Sequence, residues 1–368
     1  MLNLRSMTFK YMEKNMNVKK IIAGAAILLA LTSSVFAAKA KKSDKKTDKL
    51  KVVTTIFPEY DWTHEIIGDK AANVELTLLL GNGVDLHSYQ PSIQDIAKIS
   101  TADIFIYVGG ESDGWVKDAL KNAKNKNMKV INLLETLGDK VKAEEVKEGM
   151  QAEEEDEHEH HHDDEDEDED DHDHEAEEHH HHHHDYEDEV EYDEHVWLSL
   201  RNAKILSAEI ATALSEKDAT NATAYKANLA AYTARLDSLD TKYAAAVKAG
   251  SKKTILFGDR FPFRYLVDDY GLDYFAAFVG CSAETEASFE TVIFLAKKVD
   301  ELDLNTVLKI ESGDGKIART IIQNTKKKNA KVLTLDSIQS TTAKQAAAGA
   351  SYLKIMEENL TVLVEALK

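Results

Sequence analysis

From Leu50 onward the chain alternates short β-branched runs with stretches whose apolar residues recur every three or four positions. The run Leu50-Lys51-Val52-Val53-Thr54-Thr55-Ile56, closed by Phe57-Pro58, predicts a buried first strand. Helical spacing follows over Tyr60 to Ile67 and stops at Gly68. Val74 to Leu80 predicts a second strand, and Gly81-Asn82-Gly83-Val84-Asp85-Leu86-His87 is a glycine-bearing loop leaving its C-terminal end. Ser92 to Ser100 predicts a helix, Ile104 to Val108 a strand, Trp115 to Ala123 a helix and Val130 to Leu133 a strand. Strands alternating with helices at this spacing predict a parallel α/β sheet.

A second series starts after residue 200. Asn202 to Leu214 predicts one helix, and Ala219 to Ala249 another in which Ala224, Leu229, Tyr232, Leu236, Leu239, Tyr243 and Val247 recur at helical intervals. No Gly or Pro interrupts it before Gly250, and about 30 residues at 1.5 Å each span about 45 Å, enough to join two domains. Alternation then resumes: strand Thr254 to Phe257, helix Phe263 to Asp269, strand Asp273 to Phe278, helix Ser288 to Glu301 and strand Val307 to Ile310. Helix Lys316 to Lys327, strand Lys331 to Leu335 and one last helix from Ala343 to Leu367 complete it. The expected architecture is α/β, with two lobes, each a parallel sheet flanked by helices, at 51–217 and 251–368. A single rigid helix, 218–250, joins them.

The pattern fails between Glu153 and Glu194, which holds 26 of the 66 acidic residues and no Lys or Arg. Without that stretch the formal charge would be about +5 instead of −21, so the acidity is local. A nucleic-acid partner is not expected, since it would need a basic stripe. The N-terminus has basic residues, an apolar run from Ile21 to Leu31 and then Val35-Phe36-Ala37-Ala38, the pattern of a secretory signal peptide (1–38). A flexible leader (39–50) is expected to follow. Cys281 is the only cysteine, so neither an internal disulfide nor a lipid-accepting Cys near the cleavage point is expected. The expected product is an extracytoplasmic monomer, in the periplasm or at the cell surface.

Acidic runs are ordinarily solvated and disordered, but the loop 150–192 also carries His158, His160 to His162, His172, His174 and His179 to His184. Imidazole binds zinc, copper and nickel, so this loop reads as a weak, multisite cation collector. A selective site needs isolated residues on rigid strand ends. His87 stands at the carboxyl edge of a predicted parallel sheet, where α/β folds place ligands, and His195 opens the apolar turn His-Val-Trp-Leu. His64 falls mid-helix as an ordinary polar residue.

Gly83-Val84-Asp85-Leu86-His87-Ser88-Tyr89-Gln90-Pro91-Ser92, Tyr107-Val108-Gly109-Gly110, the His/acidic insert running into Asp193-Glu194-His195-Val196-Trp197-Leu198-Ser199, and Val332 to Ser337 together resemble the zinc-type branch of metal ABC-transporter solute-binding proteins. The resemblance implies two α/β lobes, one divalent metal in the cleft between them, and delivery to an ABC permease. It assigns His87 and His195 as the first two ligands and Asp336 as an acidic ligand. Its remaining ligand, a His or Glu just after the fifth strand, falls on Arg260, which has no lone pair to give. Asp259, Cys281, Glu284 and Glu311 are candidate substitutes. Alternatively Arg260 pairs with Asp336 or Glu284 and holds the lobes together. Two imidazoles favour Zn(II), with Mn(II) the alternative if oxygen dominates. A hydrolase is disfavoured, because neither a His-Glu-x-x-His helix nor a nucleophile elbow is present. A zinc-buffering or adhesive protein without a permease is the remaining alternative.

Overall fold

The computed structural model describes residues 49–151, 191–282 and 286–368. The expected signal peptide, all but the end of the leader, the His/acid-rich loop apart from its two ends, and Glu284 lie outside the described residues.

The first half contains β1 (Leu50–Thr54), α1 (Phe57–Ile67), β2 (Val74–Leu78), α2 (Ile93–Ser100), β3 (Ile104–Tyr107), α3 (Val116–Lys121), β4 (Lys129–Asn132) and α4 (Leu133–Leu137). Its strands pair in parallel in the order β2-β1-β3-β4. Val52, Val53, Ile104, Phe105 and Ile106 are buried, as expected of a parallel sheet covered on both faces.

After α5 (Leu200–Lys217) and α6 (Ala222–Ala249), the second half repeats the plan with β5 (Thr254–Phe261), α7 (Arg264–Tyr270), β6 (Asp273–Val279), α8 (Phe289–Glu301) and β7 (Thr306–Lys309). It ends with α9 (Lys316–Gln323), β8 (Lys331–Thr334), α10 (Ala343–Ala347) and α11 (Tyr352–Ala366). Its order, β6-β5-β7-β8, is again all parallel. In each sheet the chain changes direction across the first strand, which opens a crevice at the carboxyl edge beside β1 and β5.

The 28-residue α6 buries Tyr225, Tyr232, Leu236, Leu239, Tyr243 and Val247 along one stripe. It packs on α1 and α5 and also on α11, where the Tyr243 hydroxyl donates to the Met356 carbonyl at 2.6 Å. Among the described residues, no helix is long and apolar enough to cross a membrane.

Two features depart from the sequence reading. The expected single last helix is two, because Gly349 turns at φ +95° and Ser351 caps a new helix by accepting from the Lys354 N–H. Strand β5 runs past Phe257, through a bulge, to Phe261, so Arg260 lies within the strand instead of after it.

The described ends of the His/acid-rich loop are tied down. Tyr192 bridges Ala143, and Gln151 bridges Phe278 at the end of β6. The segment before the insert thus reaches the second half: Lys142 N–H donates to the Tyr265 hydroxyl, and the Gln151 side chain accepts from Ser288 N–H.

Candidate metal centre

His87 sits in a short 3-10 turn, Leu86–Ser88, that follows β2. Asp85 caps this turn by accepting from the His87 N–H at 3.1 Å, and Leu86 is fully buried, so the backbone under the imidazole is anchored on both sides. His87 Nδ1 lies 2.8 Å from Ser112 Oγ, in the loop after β3, and 3.6 Å from Glu194 Oε2. Burial, with His195 alongside, pushes its pKa down to about 3, so the ring is neutral over the physiological range.

His195 is completely buried at the start of the turn Val196–Leu198. Asp193 Oδ1 accepts from both its backbone N–H, at 2.8 Å, and its ring Nδ1, at 2.9 Å. In the tautomer that donates Nδ1–H to Asp193, the lone pair is on Nε2, the arrangement by which a carboxylate orients a metal-binding histidine. The turn is clamped further on: Trp197 Nε1 donates to the Ser337 carbonyl at 2.9 Å, and the Tyr352 hydroxyl donates to the Trp197 carbonyl at 2.7 Å. The two imidazoles meet Nε2 to Nε2 at 3.1 Å. Nitrogens sharing a tetrahedral zinc at about 2.0–2.1 Å stand about 3.3 Å apart, so the pair is already near chelating geometry.

The second half reaches the same place with different chemistry. The Arg260 guanidinium donates to Asp85 Oδ2 at 2.6 Å and to the Ser282 carbonyl at 3.3 Å. Burial would raise the Asp85 carboxyl, but Arg260 overrides it and holds the group below its usual range. Arg260 therefore pairs with Asp85 and not with Asp336, one of the two partners offered as the alternative; the other, Glu284, lies outside the described residues. In the amide orientation its neighbours require, Gln339 nitrogen donates to both Asp85 oxygens at 3.0 Å, and its oxygen lies 2.6 Å from His195 Nε2. A proton on that nitrogen would bond Gln339, and a metal ion would take the proton's place.

The candidates from the sequence separate. His87, His195 and Cys281 each bring a ligand atom within 4.8 Å of the others. Asp336 does not join them: its Oδ1 accepts from Ile338 N–H at 2.8 Å, and its backbone is held by Asn359. Burial, with Glu311 nearby, pushes its pKa up to about 7. Asp259 is likewise turned away, accepting from the Arg260 and Ile310 N–H groups. Glu311 accepts from Ser337 and Ser340 and so shapes the turn in which Ile338, buried, takes φ +63°. A β-branched residue in that region is strained by about 1–3 kcal/mol, and here the strain accompanies the placement of Gln339.

Sequence reading missed Asp85, Ser112, Asp193, Glu194 and Gln339 as partners of the histidines. Asp193 and Glu194 directly precede His195 but are camouflaged by the acidic run, and Gln339 has no local signal at all.

Residues 52–366 match the family model described as "ZnuA: Zinc-uptake complex component A periplasmic". The zinc-binding lipoprotein AdcA of Streptococcus pneumoniae is 31% identical over 338 residues, which are 92% of this chain but only 60% of that protein. The high-affinity zinc uptake system protein ZnuA of Bacillus subtilis is 28% identical over 347 residues, 94% of this chain and 96% of its own. Among solved structures, the Zn(II)-bound ZnuA-like domain of Streptococcus pneumoniae AdcA is similar with a TM-score of 0.61 at 26% identity, covering 87% of this chain and 99% of that one. With two parallel-sheet lobes and the match running through nearly all the described residues, the chain belongs to the family of the zinc-uptake complex component A.

Proposed function

We propose that this protein captures Zn(II) outside the cytoplasm and passes it to an ABC permease, with His87 and His195 as the core of the site. The observation that carries this is the facing pair of Nε2 atoms, 3.1 Å apart, each ring with a hydrogen-bonding partner at its Nδ1. Two imidazole nitrogens are a borderline-soft donor set, which favours zinc over manganese. Carboxylates on the same side, Asp193 and Glu194, supply negative charge to the cation without entering the ligand shell. A cleft of about 550 Å³ lined by Asp85, Arg260 and Ser282 lies next to the site.

The role is binding and release, without chemical change of the cargo. The linking role of 218–250, the monomeric state and the extracytoplasmic location complete the proposal, and the composition of 150–192 supports a weak cation collector beside the tight site. Titration calorimetry of His87→Ala and His195→Ala tests the site: each should lose the tight zinc phase and keep the weak, multisite phase. Survival of the tight phase in both would refute the assignment. Zinc uptake in a strain lacking the protein separates transport from a buffering or adhesive role.

A further inference from the structure

We propose that Cys281 supplies a sulfur ligand to the same ion, replacing the nitrogen donor that Arg260 cannot provide. The proposal rests on the histidine assignment above and goes beyond it in the chemistry of the donor set. Three independent supports bring Cys281 to the histidines. Glu144, from the segment before the His/acid-rich loop, accepts the Cys281 N–H at 3.1 Å. Arg260 holds the next carbonyl, that of Ser282. Gly280 removes the obstacle between them: a Cβ there would stand 3.0 Å from His195 Cε1 and 3.0 Å from the Phe261 carbonyl oxygen. Glycine therefore lets the end of β6 lie against the imidazole.

The surroundings point to a cation at this spot. Glu194 is 2% exposed, and its Oε2 has no hydrogen-bond partner among the described residues, 3.6 Å from His87 Nδ1. A buried carboxylate oxygen left without a partner is costly, and positive charge drawn onto the His87 ring by a cation at its Nε2 would compensate it. The distances fit with small adjustment. A zinc tetrahedron puts nitrogen and sulfur about 3.6 Å apart, so ligand atoms now within 4.8 Å need to close by about 1.2 Å at most. On binding, the Sγ–H bond breaks, its proton leaves to solvent and an Sγ–metal bond forms. Three protein ligands leave a fourth position for water, through which a cargo ion can be exchanged.

Cys281 is the only cysteine, so a thiolate signal has one source even with a His-rich loop in the same chain. Saturating the full chain with Co(II) should produce a near-ultraviolet thiolate-to-cobalt charge-transfer band, absent in Cys281→Ser. Zinc affinity of Cys281→Ser should fall about tenfold or more. Bound zinc should also protect Cys281 from alkylation by iodoacetamide in the wild-type chain but not in His87→Ala. The band and the protection are read on the wild-type chain, so a poorly folded serine variant does not decide the matter. No thiolate band and no protection, with tight zinc binding still lost in His87→Ala, would overturn the cysteine and leave the histidine pair standing. Loss of neither tight binding nor the band in the histidine variants would instead remove the histidine reading.

Discussion

The two halves of the molecule share a strand order and a crevice, yet they bring opposite chemistry to it. The first half presents two lone-pair nitrogens, each backed by an acceptor: Ser112 and Glu194 behind His87, Asp193 behind His195. The second half presents a permanent cation and an amide, Arg260 and Gln339, both engaged with Asp85. Three of its carboxylates are spent on backbone N–H groups: Asp259 on that of Ile310, Glu311 on that of Ser337 and Asp336 on that of Ile338. The difference teaches that a repeated fold repeats the place of a site and not its ligands. One half supplies the two imidazoles; the other sets a fixed cation beside them and brings up Cys281, the sulfur donor proposed above.

Asymmetry of this kind can be broken from the strong side first. Asp193→Asn keeps the size and an acceptor but removes the charge that holds the Nδ1 proton of His195. Zinc affinity should drop about 10- to 100-fold by calorimetry, the usual cost of losing an outer-shell partner. An unchanged affinity would mean that the carboxylate only shapes the turn. From the weaker side, Arg260→Ala removes the cation facing Asp85. Because Asp85 keeps Gln339 and the His87 N–H, the metal-free chain should lose only about 1 kcal/mol in thermal or denaturant unfolding. Zinc affinity should rise, because losing a fixed positive charge next to the ion outweighs losing one hydrogen bond to the Ser282 carbonyl, with Glu144 and Gly280 still placing Cys281; a fall would make that support the larger role of Arg260.

The smallest effect concerns the frame under the binding half. Glu59, fully buried in the first turn of α1, accepts from the Thr55 and Ile56 N–H groups. Burial, with Asp113 nearby, raises its pKa from 4.5 to about 8. The folded chain then keeps a proton that the unfolded chain has lost over that window. Its contribution to stability is complete below pH 4.5 and is lost as pH rises through 8. Glu59→Gln should flatten the decline of stability between those limits while leaving zinc affinity at fixed pH nearly unchanged. A wild-type slope in the variant would place the titration elsewhere.

Much of the fold was legible because parallel sheets write themselves plainly. The runs at Val52-Val53, Ile104 to Ile106 and Ile255 to Phe257 are apolar on both faces, and the 28 residues of α6 contain no breaker. Element ends were less legible. The break at Gly349 and the bulge in β5 depend on one turn conformation and one strand pairing, neither of which periodicity records.

For the site, the sequence by itself determined the donor types: two isolated histidines at strand and turn boundaries, one cysteine, and an arginine where a donor was expected. Local motif was enough there, because a strand end and a capped turn fix where a side chain begins. Tertiary structure alone decided where the side chains end. Asp85, His87, His195, Arg260, Cys281 and Gln339 meet only after two sheets close on one another, with Arg260 and Asp85 175 residues apart in the chain. It also decided that Asp336 answers to Ile338 and Asn359, while Cys281 lies with the imidazoles. The physical reason is that a carboxylate takes whichever N–H donors the fold brings within reach, and that choice is made by packing between distant segments.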